Sequence, residues 1–93
     1  MPFSYDLSDG LREIIRKLKG RDPKKVEIIR KKIAQIVQSD EETIEHYKNL
    51  RSDLKEFKRV HIDKHFVLIF HYDKKEKFIL FEDFDHHEHV YKR

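Results

Sequence analysis

The sequence predicts an α+β fold in which an N-terminal strand and a helical hairpin precede a three-stranded antiparallel meander, with the helices on one face of the sheet. Two features of the sequence support this fold class. Apolar residues between positions 11 and 37 recur at helical spacing, whereas those after position 57 form β-branched and aromatic runs separated by polar turns. With 93 residues, the chain is expected to form one domain over positions 1–93.

The first strand and the first helix are predicted from periodicity and from the residues at their ends. Apolar and polar residues alternate over positions 3–7, which indicates a strand. Ser8 or Asp9 is expected to cap the following helix, because a short side-chain oxygen accepts a hydrogen bond from a free N–H group of the first turn. Gly20 is expected to end that helix in a left-handed conformation. The apolar stripe of the helix consists of Leu11, Ile14, Ile15 and Leu18.

A second helix is predicted to begin directly after Asp22. Asp22 would cap it, and Pro23 would occupy its first position, where a missing N–H group costs nothing. Its apolar stripe consists of Val26, Ile29, Ile33, Ile36 and Val37. The two helices are expected to form an antiparallel hairpin, followed by an irregular connection over positions 43–54, where the periodicity fails.

Three strands are predicted in the second half of the chain. Positions 57–62 form the first, and positions 66–72, with the sequence FVLIFHY, form a central strand that is buried on both faces. Positions 73–76 are a polar hairpin loop. Positions 77–84 form the last strand, which leads into a histidine-rich tail.

The composition excludes several kinds of chemistry and leaves the partner open. The chain has 42% charged residues and a net charge of +3, and it contains no cysteine. The missing cysteines exclude a disulfide framework, a thiolate nucleophile and a cysteine-based zinc site. Positions 11–35 carry ten Lys or Arg residues against three acidic ones. Such a segment suits a polyanionic partner, although solvation of helix faces is the more common reason for it.

Neither a signal peptide nor a membrane span is expected. The first ten residues lack a basic start and a long apolar run, and no apolar stretch approaches the roughly 20 residues that cross a bilayer. We therefore expect a soluble, cytoplasmic protein with no membrane partner.

The histidines of the tail superficially resemble a metal site. His86, His87 and His89 lie beside Glu88. Neighbouring residues of an extended chain point to opposite faces, so His87 and His89 would supply only two ligands on one side. Incidental metal affinity is thus favoured over a functional metal site.

A series of short motifs runs through the second half of the chain. A leucine precedes a lysine–x–aromatic–basic entry to a strand that ends in His-Ile, an aromatic-apolar strand follows, and the chain closes with a His-x-x-apolar-aromatic motif. These elements are Leu50, Leu54, Lys55, Phe57, Lys58, His61, Ile62, residues 66–70 and residues 87–91. The series resembles the YafQ-type branch of the RelE/ParE superfamily of toxins. The predicted order of strand, two helices and three strands is also similar to that superfamily.

The resemblance implies an endoribonuclease that cuts messenger RNA without a metal or other cofactor, in many members inside the ribosomal A site. It also implies a co-expressed antitoxin, of the RelB or DinJ kind, that holds the toxin inactive. The implied reaction is attack of a 2′-hydroxyl on the neighbouring phosphodiester, which leaves a 2′,3′-cyclic phosphate and a free 5′-hydroxyl. Such a reaction needs a base, an acid and positive charge at the phosphate.

Three histidines are the candidates for proton transfer. By resemblance, His87 opens the terminal motif and is the general acid, and His61 is the base or a phosphate contact. His65 stands where YafQ-like toxins often carry an aspartate, so its role as the base is open. Histidine as a residue type suits both roles, because it changes charge near neutral pH.

The candidate RNA contacts are Lys48, Lys55, Lys58, Arg59 and Tyr91. Tyr91 occupies the aromatic position that is expected to stack on a nucleotide base, and Lys48 falls where related chains carry a histidine or another basic residue. The other three are candidates to hold the RNA backbone, although strand alternation turns Lys58 away from Lys55 and Arg59.

The sequence departs from the family in one respect. Most of these toxins carry an arginine on the last strand, whereas positions 82–85 here read Glu-Asp-Phe-Asp. Three explanations stay open: Arg59 or Lys55 replaces that arginine from a neighbouring strand, catalysis is weak off the ribosome, or the chain is a degenerate relative.

Two other functions are compatible with the predicted fold. One is a non-enzymatic toxin of the ParE type, which binds DNA gyrase, and the other is an RNA-binding module that never cuts RNA. The histidines favour the nuclease, because a binding toxin has no need of acid–base groups around one cleft.

Overall fold

The computed structural model describes residues 3–50 and 56–92, the last two without their side chains. Its elements are β1 (Ser4–Leu7), α1 (Asp9–Arg21), α2 (Pro23–Gln38), α3 (Glu41–His46), β2 (Phe57–Ile62), β3 (Phe66–Asp73), β4 (Phe78–His86) and α4 (His87–Lys92). The strands form one sheet in the order β1-β4-β3-β2. β1 runs parallel to β4, and the other two pairings are antiparallel. The predicted α+β class and the predicted meander are confirmed.

Short polar side chains begin the two long helices. Ser8 caps α1 by accepting a hydrogen bond from the N–H of Leu11, and Asp22 caps α2 by accepting one from the N–H of Lys25. The expected end of α1 at Gly20 is wrong, because α1 continues to Arg21 and its last turn closes through the Asp22 N–H on the carbonyl of Leu18. Asp22 thus ends one helix and starts the next, so this turn requires no left-handed glycine.

The helical hairpin packs on one face of the sheet and forms the main core with it. Side chains of β3 alternate between the faces: Leu68 and Phe70 pack towards the hairpin, and Val67 and Ile69 point to the other side. All four are buried, so the prediction of a strand that is covered on both faces is confirmed. The fully buried residues of the hairpin-side core include Leu11, Ile29, Ile36, Ile44, Leu68, Phe70, Ile79 and Phe81.

Two short helices were not expected from the sequence. α3 lies in the connection that was predicted to be irregular; Asp40 caps it through the N–H of Thr43, and Ile44 anchors it in the core. α4 replaces the expected extended tail. Its Val90 packs on Val67 and Ile69, so α4 covers part of the sheet face opposite the hairpin.

A bulge in β4 changes which residues of its second half face the hairpin. Ile69 pairs with Asp83 whereas the next residue of β3, Phe70, pairs with Phe81, so Glu82 is an extra residue in β4. Ser8 fixes this bulge, because its Oγ donates a 2.7 Å hydrogen bond to the Glu82 carbonyl. Asp83 and Asp85 consequently lie on the face opposite the hairpin, beside Ile69 and Val67.

Candidate active site

Two predicted histidines meet on the sheet face opposite the hairpin. His61, near the end of β2, pairs with Val67, so its exposed side chain lies on the same face as Val67. His87 begins α4, where the chain turns back over that face after β4. The His61 and His87 rings stack with 5.5 Å between their centroids and 29° between their planes. The fold thus brings together residues that are 26 positions apart in the sequence.

The third predicted histidine belongs to a second stack. The ring of His65, in the turn between β2 and β3, lies 5.9 Å from that of His86 with only 3° between their planes. The two stacks are linked through the backbone, because the His87 N–H donates a 2.7 Å hydrogen bond to the His65 carbonyl. His65 therefore contributes its carbonyl to the placement of His87, while its ring stacks on a histidine that the sequence had not singled out.

The predicted cations separate between the two faces of the sheet. Arg59 pairs with Ile69 and lies on the same face as His61, where its Nε donates a hydrogen bond to the carbonyl of Asn49. Lys58 is buried towards the hairpin, and its Nζ donates a 2.9 Å hydrogen bond to Asn49 Oδ1. Lys58 and Arg59 lie on opposite faces of the sheet, as strand alternation predicts. The hydrogen bond of Lys58 joins β2 to the connection before it, which is a structural role.

The remaining predicted RNA contacts are less closely defined. Lys48 is exposed, and its carbonyl accepts a hydrogen bond from the backbone N–H of Arg59, which places it along the outer edge of β2. Lys55 lies outside the described residues, as does the side chain of Tyr91, whose backbone belongs to α4. The described part of the candidate site therefore consists of His61, His87 and Arg59, with Lys48 at the edge.

The carboxylate of Asp85 contacts two histidines at the start of α4. Asp85 Oδ1 accepts a hydrogen bond of 2.7 Å from the backbone N–H of His86 and lies 3.2 Å from Nδ1 of His89. Among residues 3–50 and 56–92, no group of three or more histidine or carboxylate side chains is arranged to hold a metal ion. The geometric reason expected from the sequence does not apply, because His87 and His89 lie on a helix and not on an extended strand.

A groove of about 450 Å³ lies on the sheet face of the histidine pair and reaches the start of α1. Its apolar part is formed by Ile14, Leu50, Phe57 and Ile69, and its polar rim contains Glu82 and Asp83. Leu50 and Phe57 also pack on the small cluster of Val67, Ile69 and Val90.

In the part of the chain that the structure covers, no helix is long and apolar enough to cross a membrane.

Comparison with solved structures identifies the fold. The chain is similar to YafQ from Escherichia coli, with a TM-score of 0.63 over 96% of this chain and 98% of that one at 14% identity. It is also similar to a chain of the toxin–antitoxin complex RelBE2 from Mycobacterium tuberculosis, with a TM-score of 0.60 over 92% and 99% at 18% identity. The fold is that of the RelE and YafQ toxins.

Sequence relatives identify the family. A protein of Methanocaldococcus jannaschii that carries the name toxin RelE4 is 46% identical over 98% of this chain and 93% of its own length. An uncharacterized protein of Methanosarcina mazei is 41% identical over 81% of this chain and 83% of its own length. No family model matches the sequence. The chain belongs to the RelE toxin family.

Proposed function

We propose that this protein is the toxin of a toxin–antitoxin system and acts as a metal-independent endoribonuclease on messenger RNA. The observation that supports the activity is the stacked pair of His61 and His87, with Arg59 on the same sheet face. Two imidazoles and a guanidinium can supply the base, the acid and the positive charge that cleavage by an RNA 2′-hydroxyl requires, since the substrate supplies its own nucleophile.

The separation of the two rings suits the two proton transfers. A catalytic nitrogen must come within about 2.6–3.2 Å of the oxygen that it serves. Rings with centroids 5.5 Å apart can reach the attacking and the leaving oxygens of one phosphodiester from neighbouring positions. In this proposal His61 removes the proton of the 2′-hydroxyl and His87 protonates the 5′-oxygen as its bond to phosphorus breaks.

Arg59 is proposed to stabilise the charge that the phosphate gains in the transition state. It precedes His61 by two residues on β2, so strand alternation places both side chains on one face. The bond from its Nε to the Asn49 carbonyl holds the guanidinium beside the outer edge of β2. Arg59 thereby takes the role that an arginine of the last strand has in most related toxins, since this chain has acidic residues there, at positions 82, 83 and 85.

An antitoxin and the ribosome are the proposed macromolecular partners. The similarity to a chain of a toxin–antitoxin complex supports the first of these. The groove beside Leu50, Phe57 and Ile69 suits an apolar antitoxin segment, and the carboxylates of Glu82 and Asp83 suit a cationic side chain on it. The ribosome as the place of cleavage is supported by the resemblance to YafQ-type toxins.

Cleavage by the purified protein tests the activity. The protein, either untreated or stripped with EDTA and desalted, is incubated in magnesium buffer with ribosomes programmed with a short mRNA, and the ends of the fragments are analysed. We expect fragments with 2′,3′-cyclic phosphate and 5′-hydroxyl ends, formed equally by the untreated and the EDTA-stripped protein. His61→Ala and His87→Ala should abolish them, and His46→Ala, a change at an exposed histidine of α3, should not. Intact mRNA together with inhibited DNA gyrase would overturn the proposal in favour of a ParE-type binder.

A further inference from the structure

The first turn of α4 is capped by an imidazole. The backbone N–H of Glu88 points to Nδ1 of His86 at 3.2 Å. The N–H of His87, one residue earlier, donates a hydrogen bond to the His65 carbonyl. Two of the N–H groups that a helix start leaves without helical partners are therefore satisfied by residues of the His65–His86 stack.

This cap depends on the protonation state of one ring. Serine, threonine and aspartate accept at helix starts with an oxygen. An imidazole nitrogen accepts a hydrogen bond only while it carries no proton, so the cap requires neutral His86 with its hydrogen on Nε2. A protonated ring would turn a second N–H donor towards the N–H of Glu88.

The surroundings hold the His86 ring in the capping position. His65 stacks on one side at 5.9 Å, Phe66 of β3 meets it edge-on at 5.4 Å, and His89 of α4 lies at 5.7 Å. Asp85 of β4 accepts the backbone N–H of His86 and lies beside the His89 ring. From α2, Lys25 reaches the Phe66 ring, with its Nζ 4.1 Å from the centroid.

The charges near His86 have both signs. Asp85 and Glu88 are acidic residues, whereas His65, His89 and Lys25 are basic ones. A cation at a helix N-terminus is opposed by the helix dipole, and a protonated His65 would repel a protonated His86 in the parallel stack. The neutral ring is therefore the state that the geometry accommodates.

We propose that His86 is a positioning residue, which caps α4 with its neutral imidazole and thereby holds the His87 ring opposite that of His61. When His86 takes up a proton, the cap is lost, the start of α4 loosens and the two rings separate. The role of His86 in cleavage rests on the proposed nuclease function, but its role as a cap does not.

NMR spectroscopy tests the cap independently of any activity. The measurements are the protection factor of the Glu88 amide and the NOE between the His61 and His87 rings, at pH 7.5 and pH 5.5. We expect both signals at pH 7.5 in the native chain and their loss at pH 5.5. His86→Asn keeps an acceptor that does not titrate and should retain both signals at both values. His86→Leu has no acceptor for the Glu88 N–H and should lack both signals at both pH values.

Two outcomes would overturn the proposal. If the NOE persists in His86→Leu at pH 7.5, the cap does not position His87. If the signals vanish at pH 5.5 in His86→Asn as well, repulsion between His61 and His87 themselves is the cause. The same variants are then compared in the cleavage assay. His86→Leu should lower kcat roughly tenfold with little change in KM, and His86→Asn should have a kcat near that of the native chain. Absence of cleavage by every protein, with the NMR result as expected, would contradict the nuclease and leave the cap established.

Discussion

The hydroxyl of Tyr72 donates a 2.9 Å hydrogen bond to Oε1 of Glu41 and thus joins the central strand to α3. Burial and this carboxylate both disfavour the phenolate, and they raise the pKa of Tyr72 to about 12. Glu41 also pairs with Lys77, and the hydrogen bonds from Lys77 and Tyr72 lower the pKa of its carboxyl. The connection after the hairpin is thereby held to the sheet by a hydroxyl, a carboxylate and an ammonium group.

The stability of the protein should therefore fall in alkaline solution because of Tyr72. An unfolded tyrosine ionises near pH 10, whereas Tyr72 in the folded chain keeps its proton until about pH 12. Its contribution to the free energy of unfolding is complete below pH 10 and is lost as the pH rises through 12. Urea unfolding between pH 9 and 11.5 should give a smaller decline in Tyr72→Phe than in the native chain. An equal decline in both proteins would contradict the assignment, and Tyr5→Phe is the matched control at a half-exposed tyrosine.

Lys58→Met should destabilise the fold without impairing cleavage. The Lys58 ammonium is buried and bonds Asn49 Oδ1, so its removal leaves that acceptor without its partner. We expect a loss of about 1–3 kcal/mol in the free energy of unfolding and an unchanged kcat/KM at a temperature where the variant is folded. A large loss of activity with native stability would instead support Lys58 as an RNA contact.

Arg59→Gln should produce the opposite result. Removal of one transition-state donor commonly costs about 10²- to 10³-fold in rate, and we expect a loss of kcat in this range. Circular dichroism and thermal unfolding check that the fold is retained, because the Nε of Arg59 also bonds the carbonyl of Asn49. A variant that cleaves at the native rate would mean that another group stabilises the phosphate.

Lys48→Ala should affect binding and not chemistry. Lys48 is exposed at the edge of β2, where it can contact an RNA phosphate. Loss of one phosphate contact should reduce the salt dependence of RNA affinity by about one unit in the slope of log K against log salt. Fluorescence anisotropy with a labelled RNA measures the slope, and an unaltered slope would exclude Lys48 from the contact.

Ser8→Ala tests the link between α1 and the bulge of β4. The hydroxyl caps α1 at the Leu11 N–H and also bonds the Glu82 carbonyl. Loss of both bonds should lower the free energy of unfolding by about 1–2 kcal/mol, measured by urea denaturation. The control is Ser4→Ala, at an exposed position of β1, which should cost far less; equal losses would exclude a special role for Ser8.

Local signals in the sequence predicted most of the fold. The limits of β2, the cap of α2 at Asp22 and the buried stripe of α2 agree with the structure, because each depends on near neighbours in the chain. The helices α3 and α4 were missed because six residues carry too little periodicity. For α3, the capping residue Asp40 and the acidic residues of the first turn could nonetheless have predicted the start of a helix.

The site was less predictable than the fold because it depends on contacts between distant residues. Alternation correctly separated Lys58 from Arg59, yet nothing local indicated that Lys58 would bond Asn49. Likewise, nothing in the sequence indicated that the ring of His65 would stack on that of His86. The capping role of His86 required the helical start of α4, which was expected to be an extended tail.

The most direct test of the proposed mechanism is primer extension on cellular mRNA after brief induction of the native chain, His61→Ala, His87→Ala and the control His46→Ala. We predict new cleavage sites within translated reading frames for the native chain and the control, and none for the other two variants. The same cleavage pattern in His61→Ala and His87→Ala, at native expression levels, would contradict the assignment of the stacked histidine pair as the catalytic acid and base.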